Sequence, residues 1–422
     1  MNNEFLRRCL LLSSTHININ HYLTISSRED GLTVEFNGVD DIEYCINGKK
    51  DWNTLSSGSY TPAINAGECI SFRGNLVSTG MGIGNFTINK DCDLMGNCNS
   101  LLFGDYACET YDLSGYDYAF YGLFGSCDTI INVSPKFLPA TTLAEGCYME
   151  MFWDCASLTT APELPATTLA GYCYSSMFEN TSLNIAPELP ATTLAEDCYS
   201  YMFNSCESLS EAPSLPATTL AKYCYSGMFQ GCESLENAPS LPATTLADNC
   251  YYSMFNGCTS LTTAPILPAT TLASYCYRQM FQGCSSLTTA PELPATTLAN
   301  NCYHQMFQGC TSLITTPEEL PATTLADNCY LQMFYGCKSL TTTPVLPATT
   351  LVNNCYQQMF YSCTSLNKIT MYATNITANG CLNAWVRNVA TSGTFIKHPD
   401  MTSLPTGVNG IPSGWVVISD RA

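Results

Sequence analysis

Charge is scarce in this 422-residue chain, where Asp, Glu, Lys and Arg together make up only 12%. Basic residues are the scarcest, 15 against 35 acidic ones, for a formal net charge of −20. Nucleic acid and anionic membrane surfaces are held through Lys/Arg clusters, so neither is an expected partner. No apolar run reaches the ~18 residues that span a bilayer, so no membrane insertion is expected. Arg7 and Arg8 precede only four apolar residues, Cys9 to Leu12, against about seven or more in a secretory signal, which reads as a cytosolic start.

Histidine is confined to His16, His21, His304 and His398, and no Cys-x-x-Cys occurs, so no metal site and no cofactor are expected. A Cys-His nucleophile requires one cysteine unlike the others, whereas those here are near-copies, so no catalytic residue is assigned and the chain is read as not an enzyme. The segment GMGIG at 80–84 lacks a following helical pattern and reads as a loop rather than a phosphate cradle.

What the chain has instead is a repeat. The anchor LPATT begins at Leu138, Leu164, Leu189, Leu215, Leu241, Leu267, Leu293, Leu320 and Leu346, giving nine copies about 26 residues apart over 138–372. In the copy 241–266, Leu246, Ala247, Cys250, Tyr251, Met254, Phe255 and Cys258 recur three or four positions apart, which predicts a short amphipathic helix. Thr245 stands at its N-cap with Asp248 three residues on, and Thr142/Glu145 and Thr193/Glu196 match a capping box. Gly257 and its equivalents, including Asp154, Asn180, Ser205 and Ser362, suit a left-handed stop. Ser-Leu-Thr-Thr-Ala then reads as a short strand, and Pro265 and Pro268 fix the turn back.

Ordering one copy costs on the order of 40 kcal/mol, and its own buried side chains return less than half, so copies must stack. The expected fold is an α/β solenoid, one short helix and one short strand per copy. It is expected to curve with its strands inside, because helices need about 8 to 10 Å where strands need about 4.8 Å. Of the 25 cysteines, 17 form two columns of the repeat, nine before Tyr and eight before Ser-Leu. At helix spacing they would lie beyond disulfide reach, so they are read as buried, reduced ladders. In the short copy containing Thr181 the second-column cysteine reads as deleted.

The flanks read differently. Residues 1–28 form an N-terminal arm, and 29–105 alternate with period two around an Asn47-Gly48 turn, as a small β-sandwich-like attachment domain. Residues 106–137 are a worn copy that caps the array, with Cys127 still in its column, and 373–422 form the C-terminal cap.

Phe-x-x-Cys-x-Ser-Leu followed by a short strand and a proline turn resembles the BspA-like, or Treponema-type, leucine-rich repeats over about residues 106–390, which implies that the solenoid is an α/β leucine-rich-repeat solenoid. That resemblance implies a surface protein that binds host proteins or other cells. The signal-less start, small β domain and array together are similar to phage or prophage tail-associated proteins of gut Bacteroidales. This implies location on the virion and attachment of residues 1–105 to phage tail or baseplate proteins. The alternatives are a structural spacer without a specific ligand and an adhesin on the bacterial cell surface.

Two sets of positions vary between copies. The outer positions of the predicted helix, such as Tyr223/Ser226/Gln230, Ser274/Arg278/Gln282 and Asn300/His304/Gln308, read as solvated. The strand positions Thr159, Thr160, Asn184, Ser210, Glu211, Glu236, Asn237, Thr262, Thr263, Thr288 and Thr289 are the candidate ligand-binding residues, facing a bacterial cell-surface protein or glycan. Homo-oligomerisation is left open.

Overall fold

A computed structural model describes residues 16–78, 80–402 and 404–420. Residues 1–15 of the expected arm lie outside them. The chain divides into two compact units, Met1–Ala191 and Thr192–Ala422.

The first unit begins with β-structure. Strands β1 (Leu23–Ser27), β2 (Val34–Gly38), β3 (Ile42–Ile46), β4 (Asn53–Leu55), β5 (Ser59–Tyr60), β6 (Cys69–Arg73), β7 (Gly84–Ile88), β8 (Cys92–Met95) and β9 (Ile130–Val133) form two sheets. One has the order β4-β3-β6-β1-β8-β9, the other β5-β2-β7. Their facing sides meet through Phe72 and Phe86, whose rings lie 5.2 Å apart edge to face, and Phe36 packs on Phe86 at 4.9 Å. Asn47 and Gly48 both take positive φ, as a tight hairpin turn requires.

Two of the expected boundaries differ. Leu23–Ser27, assigned to the arm, is an inner strand of the larger sheet, because Leu23 and Ile25 are fully buried against its neighbours. Nor does the β-structure close at residue 105. Strand β9, from the worn copy, pairs in parallel with β8, and Phe124 stacks on Phe86 at 5.3 Å. The Cys127 thiol donates to the Phe86 carbonyl at 3.0 Å. The β-structure therefore supplies the first rung of the repeat core.

The predicted helix is absent from the copies. Among the described residues the one α-helix is α1 (Ser100–Phe103). In the second unit, the copy 241–266 shows what replaces it. Cys250, Tyr252, Met254, Asn256 and Cys258 donate their N–H groups three residues back, to Ala247, Asn249, Tyr251, Ser253 and Phe255. The residues between them donate to the next copy: Tyr251 to Cys276, Ser253 to Arg278, Phe255 to Met280 and Gly257 to Gln282, at 2.8–3.1 Å. Every fourth residue is left-handed, with φ of 57° at Asn249, 53° at Ser253 and 78° at Gly257.

The result is a ribbon of consecutive β-turns whose alternate N–H groups bond sideways like those of a strand. A left-handed residue in each four-residue cycle breaks the run of right-handed residues that i→i−4 bonding needs. Glycine and asparagine at these positions lower the cost. Thr245 is not an N-cap, since it forms a parallel bridge with Thr219, and Asp248 accepts the Ser274 N–H of the next copy at 3.0 Å. The Glu145 carboxylate likewise accepts from the Tyr118 hydroxyl, 27 residues away.

The ribbon sets the packing. Its residues alternate two inward, two outward, so Cys250, Tyr251, Met254, Phe255 and Cys258 are at most 1% exposed. The Tyr and Phe columns stack face to face: Tyr251 lies 5.8 Å from Tyr277, and Phe255 lies 5.6 Å from Phe281. Neighbouring copies therefore sit at strand-like spacing on this side too, and the 8 to 10 Å premise behind the expected curvature and the disulfide argument does not hold within a unit. All 24 described cysteines are nevertheless free, and the repeat cysteines are buried.

In the short copy, Thr181 occupies the cysteine position three residues after Phe178 and donates its hydroxyl to the Phe178 carbonyl at 2.9 Å. The cysteine is thus replaced rather than deleted, and the lost residue comes from the turn that follows.

The expected strand is reduced to single parallel bridges, Asn237 to Thr263, Thr263 to Thr289 and Thr289 to Thr315. It lengthens only at the C-terminal end, into a parallel sheet of β10 (Thr342–Leu346), β11 (Lys368–Met371), β12 (Thr394–Lys397) and β13 (Val416–Ser419). There Trp385 takes the methionine position, is fully buried, packs on Phe360 at 6.0 Å and donates its indole N–H to Gly410 at 2.9 Å.

Candidate recognition surface

Both members of every predicted strand pair are exposed: Thr159/Thr160, Ser210/Glu211, Glu236/Asn237, Thr262/Thr263 and Thr288/Thr289, as is Asn184. The copy's apolar side chains have turned inward at Leu261 and its equivalents, so the two residues after that leucine are left outside. Rung-to-rung bonds hold them. In the second unit the Thr262 hydroxyl donates to the Glu236 carbonyl at 3.3 Å, and the Thr263 hydroxyl meets the Asn237 carboxamide at 3.5 Å. In the first unit the Thr160 hydroxyl donates to Asn132 Oδ1 at 2.9 Å. The surface is a row of polar groups at one-rung intervals, several of them pinned to the neighbouring rung.

In the first unit this row borders an open groove of about 660 Å³, which Thr159, Thr160 and Asn184 line together. Two successive proline turns, with Pro162, Pro165, Pro187 and Pro190, line it as well, and so does Ile185, 59% exposed. Glu163 and Glu188 rim it, and neither has a cation within ion-pair distance among the described residues. The two glutamates were not among the expected binding residues. They belong to a third exposed, variable column after the repeat's proline, with Ser214, Ser240, Ile266 and Glu292, and that variation was available in the sequence.

The outer positions of the turn ribbon are organised rather than simply solvated. Gln279, Gln305, Gln332 and Gln358 form an amide ladder, with Nε2-to-Oε1 distances of 2.9, 2.8 and 2.5 Å. His304 is half-buried in this face. Burial, with the neighbouring Arg278 charge second, lowers its pKa to about 4. Arg278 itself lies over the rings of Tyr252 and Tyr275, at 5.5 and 5.6 Å. Among the described residues no three His, Cys, Asp or Glu side chains form a metal-holding group, and no helix is long and apolar enough to cross a membrane.

A short repeated unit with a buried leucine column, stacked by backbone bonds between copies, defines a leucine-rich-repeat protein. The pattern described as BspA type Leucine rich repeat region (6 copies) matches residues 145–262, 171–314 and 279–383, more than half of the chain, and the chain belongs to that family. Among solved structures, a leucine-rich repeat protein from Bacteroides ovatus ATCC 8483 is 17% identical, with 71% of this chain and 78% of that one covered and a TM-score of 0.42. A leucine-rich repeat protein from Eubacterium ventriosum ATCC 27560 is 15% identical, over 79% of this chain and 95% of that one, with a TM-score of 0.27. Among curated proteins none matches.

Proposed function

We propose that this is a non-enzymatic recognition protein whose repeats build a solenoid and present their bridge-side surface to a protein or glycan on a bacterial cell. The supporting observation is that row of exposed hydroxyl, amide and carboxylate groups, in which Thr160, Thr262 and Thr263 are held by rung-to-rung bonds and so ordered before any ligand arrives. In its finer form the proposal makes the protein tail-associated on a phage virion, docked to tail or baseplate proteins through residues 1–105. A role as a structural spacer is the second reading, favoured by the near-identical rungs of the glutamine ladder.

The test is binding of the labelled chain to a broad panel of intact gut bacterial cells, beside a Thr262→Lys/Thr288→Lys variant. Strain-selective, saturable binding that the double variant loses supports the reading. Absence of binding by the folded chain across the panel overturns it in favour of the spacer.

A further inference from the structure

A second cleft lies away from the bridge-side row, where the turn ribbon of the first unit meets the β2–β7 ladder. It has a volume of about 400 Å³. On one wall are Asn37 and Asn85, directly opposed partners across β2 and β7. Phe36 and Phe86 point into the core, so the alternation of a strand sends both asparagines outward, and both are exposed. Neither carboxamide has a hydrogen-bond partner among the described residues. From the turn ribbon come Trp153, 40% exposed, together with Tyr121 and Glu150. Gly122 lines the cleft too, and a Cβ there would meet nothing within 4 Å, so space stands open beside it.

We propose that this cleft binds a neutral glycan of one or two rings. A pyranose offers one flat face of C–H groups and a rim of hydroxyls, each both donor and acceptor. The half-exposed indole of Trp153 supplies a flat apolar counterpart to the first. The two carboxamides, each donor and acceptor and about 5 Å apart across the ladder, answer neighbouring hydroxyls. Glu150 adds a carboxylate acceptor beside Tyr121. No cation lines the cleft, so a phosphate or carboxylate ligand finds no counter-charge. An indole beside a few convergent polar groups is the usual make-up of a small-ligand site. The site is independent of the bridge-side surface and stands or falls separately.

The test is saturation-transfer NMR on the full chain with neutral hexoses, N-acetylhexosamines and their β-linked disaccharides. Transfer to ring C–H protons of at least one sugar is expected, and binding about tenfold weaker in both Trp153→Ala and Asn85→Ala; both side chains are exposed, so both variants should still fold and unfold cooperatively, with Asn85→Ala melting near wild type. The Thr262→Lys/Thr288→Lys chain should bind the sugar unchanged, which separates this site from the bridge-side surface. No transfer from any sugar, or transfer undiminished in both cleft variants, overturns the proposal.

Discussion

Cys284 donates its thiol to the carbonyl of Phe255, one copy back, at 3.0 Å. That carbonyl already accepts the Cys258 N–H at 3.1 Å, so the thiol serves its second lone pair. The same bond recurs from Cys232, Cys258, Cys310, Cys337 and Cys363 to Phe203, Phe229, Phe281, Phe307 and Phe334. This column wants a small side chain with a weak donor, which cysteine is.

Replacing Cys284 with Ala should therefore cost about 1–2 kcal/mol, for one weak hydrogen bond and a small cavity. Cys284→Thr should cost less, because Thr181 fills the equivalent position with its hydroxyl bonded. Cys284→Leu should cost most, by overpacking. Thermal or denaturant unfolding of the three variants gives the ranking, and a threonine variant as weak as the leucine one would contradict it.

A substitution of opposite sign in the two architectures separates ribbon from helix. In a helix Ser253→Ala would be neutral or stabilising. At φ of 53° it trades one left-handed residue for another that tolerates the conformation no better and loses the 3.3 Å bond from the Ser253 hydroxyl to Gln279, whereas Ser253→Gly loses the same bond but relieves the backbone, and should stabilise by roughly 0.5 kcal/mol. A helix would lose roughly 1 kcal/mol with glycine, so the sign of the glycine effect on the unfolding midpoint decides. Far-UV circular dichroism should also lack a strong helical signal.

The repeat, its period and its buried columns were legible because indispensable side chains recur. The helix was misread because the pairs Leu246/Ala247, Cys250/Tyr251 and Met254/Phe255 were matched to a helical face, when their period is four. A true helix turns about 40° too far in four residues, so three such pairs drift away from one face. Asn249, Ser253 and Gly257, also four apart and suited to turns, carried the same message. The exposed strand pairs could be named as surface, but the groove beside Thr159, Thr160 and Asn184 depends on how consecutive proline turns lie, which no local pattern specifies.

The buried thiols make the fold sensitive to alkali. Burial pushes Cys250 and Cys258 up to about 12 from an ordinary value of 9.0. Above pH 9 the unfolded chain loses these protons while the folded chain keeps them, so the stabilisation present below 9 is lost as pH rises toward 12. Stability should fall steeply across that window. Native protein at pH 8 should resist iodoacetamide at the repeat cysteines, which should all react after unfolding. Rapid native alkylation would mean the columns are open.

His304 should titrate near 4 in an NMR pH series, since burial first and Arg278 second disfavour its charged form. Arg278→Met should move it upward. The sign for stability follows: the unfolded imidazole takes a proton below about 6.5, the folded one only near 4, so His304 removes stability as pH falls through that interval. An unshifted His304 in wild type would place the ring in solvent.

Trp385 closes the Phe column at the C-terminal end of the second unit, with its ring on Phe360 and edge to face with Phe395 at 6.3 Å. Trp385→Ala should cost about 3–5 kcal/mol by the cavity it leaves, and it removes the indole bond to Gly410. In a stacked array the damage should be local, because each copy is held by its neighbours. Hydrogen exchange should therefore speed up first at β11 and β12 and in the last copies, while amides of the 241–266 copy stay protected. Uniform acceleration through both regions would show instead that the unit unfolds as one cooperative block, with Trp385 contributing to its global stability.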